Sequence, residues 1–299
     1  MNVVASAFPG PSAVEGRRKN RLVAGVLAAA IVLMYAGVLA SLVRQWSSDD
    51  NYSHGFFVLP LAAYFAWERR AALAAASRRP SVLGLAVILG SLLVWTAGLL
   101  GAELFLTRIS LIGVTAGTVL FVWGWRHVRI LLFPILFLLL MVPLPAILFN
   151  QIAFPLQLVA SQAGEVVIAT AGIPVLREGN VLHLPSQTLE VAEACSGIRS
   201  LVSLLMLAIV LGYFTERRPG ARVLIAFAAI PIAILANAAR VAGTGLAAEW
   251  VSPAAAEGFF HTFSGWLLFV VAFAALLLVQ HLLGRFRRRT PQPALLEAA

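Results

Sequence analysis

The chain has 299 residues, 61% of them hydrophobic and only 12% charged, and a formal charge of +9. So apolar a composition excludes a soluble globular domain, which could not cover it with polar surface, and places the chain in a bilayer. The basic residues form short clusters between apolar runs, which excludes nucleic acid as a partner, and a single cysteine, Cys195, excludes an internal disulfide.

Residues 1–20 form an expected cytoplasmic segment carrying Arg17, Arg18 and Lys19. A transmembrane region, 21–284, follows. Apolar stretches of about 20 residues predict spans at 22–43, 54–68, 81–101, 104–123, 127–145, 195–214, 222–247 and 258–284. The fold class is therefore an all-α polytopic membrane protein with about eight transmembrane helices. The first run is long enough to cross and is followed by further spans, so it reads as an uncleaved first helix and not as a signal peptide. The second and fifth spans are short and contain proline (Pro60; Pro143 and Pro145), so one of them is a candidate for a partly re-entrant segment.

Orientation follows from the positive charges. With the N-terminus inside, the inner loops hold the clusters at Arg17–Arg21, Arg69–Arg70, Arg78–Arg79, Arg126–Arg129, Arg217–Arg222 and Arg285–Arg289, while the outer segments keep Arg44, Arg108 and Arg177. That is a positive-inside pattern with both termini cytoplasmic.

The largest outer segment is 143–194. Its first part, 146–171, mixes apolar residues with Asn150, Gln151, Gln157, Ser161, Gln162 and Glu165, and predicts a periplasmic helix lying in the interface. The part from Pro174 to Ala194, with turn signals at Glu178-Gly179-Asn180 and Pro185-Ser186, predicts a short β-hairpin between helices 5 and 6. Residues 285–299 form a basic, proline-containing cytoplasmic tail.

Two arginines, Arg199 and Arg240, fall inside predicted helices. A guanidinium in hydrocarbon costs roughly 2.5–3.5 kcal/mol, so each should face a protein interior or a wet cavity. In the topology above, Cys195 starts the sixth helix, Arg240 lies near the outer end of the seventh, and His261 opens the eighth. All three then share one depth. Helical spacing puts Cys195 with Arg199, and Asn237 with Arg240, on one face each.

A cysteine at a helix N-terminus with an arginine one turn away is placed to favour the thiolate. His261 is the candidate proton carrier, and Arg240 or Arg199 the candidate holder of an oxyanion or substrate carbonyl. Bland readings stand beside these: an inert thiol, an interfacial His261 among Phe259, Phe260 and Trp266, and an Arg240 paired with Glu249. Other chemistries are removed by counting. The only aspartates, Asp49 and Asp50, lie in a loop, the only lysine is Lys19, and the histidines lack metal-ligand spacing, so neither a metal nor a cofactor is expected.

The string Glu193-Ala194-Cys195-Ser196-Gly197-Ile198-Arg199-Ser200, then Asn237-Ala238-Ala239-Arg240, then His261 ahead of Gly265-Trp266, resembles the exosortase/archaeosortase family. Upstream likeness runs through Tyr52-Ser53-His54-Gly55-Phe56, Trp67-Glu68-Arg69-Arg70 and Arg177-Glu178-Gly179-Asn180. The resemblance implies a multi-pass inner-membrane cysteine transpeptidase whose trio is Cys195, Arg240 and His261, working at the periplasmic face. It implies exported substrates with a C-terminal tripartite tail (a Pro-Glu-Pro motif, a transmembrane helix and a basic cluster), cleaved through a thioacyl intermediate and passed to a lipid or polysaccharide-linked acceptor. Arg199, Asn237, Glu193 and His54 are the expected substrate-binding residues, and either His261 or His54 handles the proton. The rival reading is a transporter or lipid-handling protein that binds an anionic headgroup through Arg199 and Arg240.

Overall fold

The computed structural model describes residues 11–191, 197–252 and 258–289, with side chains for 22–191, 197–252 and 263–285. Eleven helices and one small sheet are present among them, in two compact units, 1–145 and 146–299.

In the first unit, α1 (Pro11–Met34) and α2 (Ala36–Ser48) meet at Tyr35 with a 68° bend, so the expected span 22–43 is broken. The bend is fastened at its vertex: the Tyr35 hydroxyl lies 3.0 Å from that of Ser110, and Arg108 donates to the Ser41 hydroxyl at 3.0 Å. Next come α3 (Gly55–Glu68), α4 (Arg70–Ala75), α5 (Leu83–Leu100), α6 (Leu104–Trp123) and α7 (Trp125–Phe137), which continues as a 3-10 turn over Leu138–Met141. The helices α5 and α6 match the predicted limits closely. Glu103 caps α6 by accepting from the Phe105 amide. Gly124 ends it at φ 86°, where any Cβ would collide with the Arg79 carbonyl.

The expected spans 54–68 and 127–145 are helical but short, at 14 residues for the first and 13 followed by a four-residue 3-10 turn for the second, below the roughly 20 of an ordinary crossing. They lie side by side and antiparallel, since His54 bonds the Leu140 carbonyl at one end and Arg69 the Ile130 carbonyl at the other. Arg108, which the charge pattern counted with the outer segments, is 3% exposed within α6.

The second unit holds α8 (Ala146–Thr170), strands β1 (Leu176–Glu178), β2 (Val181–His183) and β3 (Thr188–Glu190), then α9 (Ile198–Thr215), α10 (Pro219–Trp250) and α11 (Gly258–Arg289). The largest departure from the sequence reading is α8. Instead of an amphipathic helix in the interface, it is a continuous 25-residue helix apolar enough to cross a membrane. It runs alongside α10 in the same direction, with Gly164 against Val241 and Ile168 against Gly245. The polar residues that suggested a wet face are divided: Gln157 and Ser161 lie in the buried stripe Ala153, Gln157, Ala160, Ser161, Gly164, Ile168, which repeats every three or four residues. Ser161 donates to the Gly179 carbonyl at 3.0 Å, so its hydroxyl fastens the sheet to the helix.

Where one hairpin was expected, three strands form an antiparallel meander in the order β1-β2-β3. Arg177 reaches back to Glu165 at 2.8 Å, and the Ser186 amide and hydroxyl both donate to Glu249 at the end of α10. Leu182, Leu184 and Val191 complete a core with Ala160, Ile168, Val241 and Ala248. The helices α9, α10 and α11 pack around Leu204, Ala208, Ile225, Ala229, Ala233, Ala272 and Leu276. Small residues on α10 let the three backbones approach closely, the usual device where lipid removes the hydrophobic drive between helices. Among the described residues six helices are long and apolar enough to span, or seven if the bent α1–α2 pair is one span, against about eight expected.

Candidate active site

The site grows from the start of α9. Its N-cap is Gly197, at φ 77° and ψ −4°, where a side chain is strained. A Cβ there would also come within 2.7–2.9 Å of the Asn237 side chain. Glycine thus lets the chain entering α9 lie directly on α10. The described part of α9 begins at Ile198, and Cys195, expected to open this helix on one face with Arg199, lies outside the described residues.

Asn237 is 6% exposed, and Arg240 lies one turn further along the same face of α10. Both line a narrow pocket with Ser200 of α9 and with Gly265 and Phe269 of α11. The third wall fits closely, since a Cβ on Gly265 would stand 3.4 Å from Nη1 of Arg240. A second narrow pocket, bounded by Leu156, Gly197, Leu201 and Ile234, reaches the other side of Asn237. Arg240 therefore has the protein-facing setting that a charge within a membrane helix needs. Chemically, a guanidinium and a carboxamide one turn apart offer donors to a carbonyl oxygen or to the negative charge that grows on it.

The expected residues divide as follows. Asn237 and Arg240 come together as spaced. Arg199 is exposed and is not among the residues lining the Arg240 pocket, so the two arginines do not share it. Glu249 is bonded by Ser186, nine residues beyond Arg240. His54 belongs to the first unit, is 6% exposed, and donates through Nε2 to the Leu140 carbonyl at 3.0 Å. Cys195 and Glu193 lie outside the described residues. His261 lies in α11, four residues ahead of Gly265, with its side chain outside those described. No group of three His, Cys, Asp or Glu side chains among the described residues is placed to hold a metal ion.

Sequence reasoning missed the roles of Gly197, Ser200 and Gly265. The signal for Gly265 was present, since it follows His261 by one helical turn. That of Gly197 needs the fold, because only the seating on Asn237 shows why a side chain is excluded.

A family model described as transmembrane exosortase (Exosortase_EpsH) matches residues 46–278, more than three quarters of the chain. No curated protein and no solved structure matches it significantly. The matched stretch contains the Gly197 cap, the Asn237–Arg240 face and the Gly265 wall, and by that match the chain belongs to the transmembrane exosortase family, multi-pass sorting enzymes of the cysteine protease and transpeptidase kind.

Proposed function

We propose that the protein is a cysteine transpeptidase that cleaves the C-terminal sorting signal of exported proteins, with Cys195 as nucleophile, Arg240 as carbonyl and oxyanion donor and His261 as proton carrier. The observation that carries this reading is the convergence at one level of the second unit. Gly197, two residues after Cys195, seats on Asn237; Arg240 lies one turn on; and Gly265, one turn after His261, faces the guanidinium.

The chemistry balances with these groups alone. The Cys195 thiol gives its proton to His261 and its sulfur attacks the scissile carbonyl carbon, while Arg240 and Asn237 donate to the oxygen. The C–N bond then breaks, the amine leaves with a proton delivered by His261, and a thioester remains. A hydroxyl or amine of a lipid or polysaccharide-linked acceptor attacks that thioester, and the proton it loses returns to the thiol. Water in place of the acceptor gives plain hydrolysis. The tail-bearing substrate, with its Pro-Glu-Pro motif, helix and basic cluster, comes to this reading from the family.

Orientation follows from charge. Since α8 and α10 run the same way, both end beside the sheet, where Glu165, Glu178 and Glu249 lie, while Arg217, Arg218, Arg222 and Arg285 lie toward the opposite end. We assign the sheet end to the periplasm and both termini to the cytoplasm of an inner membrane. The outer segment then narrows from 143–194 to the stretch after Thr170. A membrane-impermeant maleimide should label Cys195 from the outer face of spheroplasts, and labelling only from the cytoplasmic side reverses the assignment.

The deciding experiment is mass spectrometry of the mature C-terminus of a tail-bearing substrate in cells carrying the native chain or Cys195→Ala. The proposal expects a new C-terminus, with any attached acceptor, only with the native chain. Equal processing by the variant at equal protein level would favour the headgroup-binding rival.

A further inference from the structure

The three-stranded meander has two edges of different character. In β2 and β3 the partners are Val181 with Glu190, Leu182 with Leu189 and His183 with Thr188. The Val191 amide bonds the Asn180 carbonyl and the Leu184 amide bonds that of Gln187, both at 2.9 Å. Antiparallel pairs alternate between bonded and non-bonded, so Leu182 and Leu189 exchange the ladder bonds between these two. The amides and carbonyls of Thr188 and Glu190 therefore point away from β2, along an edge with no strand beside it among the described residues. Both residues are exposed.

The edge at β1 is different. There only Arg177 directs its backbone outward, and that strand is fastened to α8 through Glu165 and Ser161. The open edge is thus β3, and β3 leads within five residues into Cys195.

We propose that β3 is the docking rail for the substrate. The extended segment of the exported protein around the scissile bond adds as a fourth strand, its main chain pairing with Thr188 and Glu190 of the strand that leads into Cys195. This rests on the proposed function for its nucleophile. Strand addition takes affinity from main-chain bonds and tolerates many side chains, as suits an enzyme that reads one signal on different proteins. Two residues of edge make a weak contact alone. A substrate already held in the same membrane by its own helix supplies the effective concentration that makes such a contact sufficient, and the shortness keeps the edge from pairing indiscriminately.

The test uses the full chain in proteoliposomes with a tail-bearing reporter. Thr188→Pro removes one outward amide at the first residue of an edge strand, a position where proline is tolerated, and leaves the β2–β3 ladder intact. Thr188→Val removes the hydroxyl and keeps the amide. The expected result is a loss of about tenfold in processing at low reporter concentration for Thr188→Pro, recovered as the reporter is raised, and a change under about twofold for Thr188→Val. A photoreactive benzoylphenylalanine introduced at position 188 of Cys195→Ala should capture the reporter, and the same residue introduced at position 176 on the β1 edge should not. Native processing by Thr188→Pro, or equal capture from positions 176 and 188, overturns the rail. Processing by Cys195→Ala would instead overturn the nucleophile assignment and leave the rail to be judged by the capture result.

Discussion

Two arginines within membrane helices, one in each unit, are put to different uses. Arg108 in α6 is 3% exposed and donates to Ser41, one of a set of polar fastenings with Tyr35–Ser110 and Trp46–Met141 that hold the bent first span to its neighbours. Arg240 in α10 is half-buried and lines a pocket shared by three helices. On the proposed function, the first guanidinium is a structural fastening and the second a substrate contact. In the second unit polar fastenings also occur, as where Arg222 donates to the Glu216 and Tyr213 carbonyls at the end away from the sheet, while Asn237 and Arg240 border a pocket.

The sharpest way to break this contrast is to remove each guanidinium. Arg240→Ala should lower processing by about 100- to 1,000-fold, the scale of losing an oxyanion donor, with unchanged protein level. Arg108→Ala should instead destabilise by about 1.5–3 kcal/mol, the scale of losing a hydrogen bond from a charged group, and show as a lower melting temperature in detergent. Its processing per folded molecule should stay within about threefold, since no substrate contact is removed. Interchanged phenotypes would undo the distinction.

The next effect is at the glycines. Gly197→Ala adds about 1–2 kcal/mol of backbone strain, besides its collision with Asn237, and should lower processing far more than protein level. Gly265→Ala makes only an ordinary contact with Arg240 and should be tolerated, whereas Gly265→Leu should displace the guanidinium and reproduce much of Arg240→Ala. Parallel initial-rate and yield measurements separate these cases. The smallest effects belong to single fastenings: Tyr35→Phe should cost about 1 kcal/mol in the first unit, and Glu249→Gln a similar amount at the sheet, both read by thermal denaturation in detergent.

Helix limits were most legible in sequence where chemistry punctuates the apolar runs. Glu103 and Gly124 bound α6 where composition alone places it, whereas the expected span 222–247 falls three residues inside each end of α10. The bend at Tyr35 was not legible, because it is fastened by Ser110 and Ser41–Arg108, contacts distant in the chain. Hydropathy also misjudged α8, since Gln157 and Ser161 count as polar by type although both point into protein. For the site, the three-residue spacing of Asn237 and Arg240 was enough to put them on one face. The spacing between Cys195 and Arg199 could not be read in the same way, because Cys195 lies outside the described residues and the helix that carries Arg199 begins at Ile198.

Covalent capture at Cys195 would read the proposed thioester itself. A tail-bearing reporter is incubated with the reconstituted protein without acceptor, quenched in acid and digested, and the Cys195 peptide is weighed. The expected product is that peptide carrying the reporter's new C-terminal residues as a hydroxylamine-labile thioester, absent from Cys195→Ala. A cleaved reporter with an unmodified Cys195 peptide, and equal cleavage by Cys195→Ala, would contradict it.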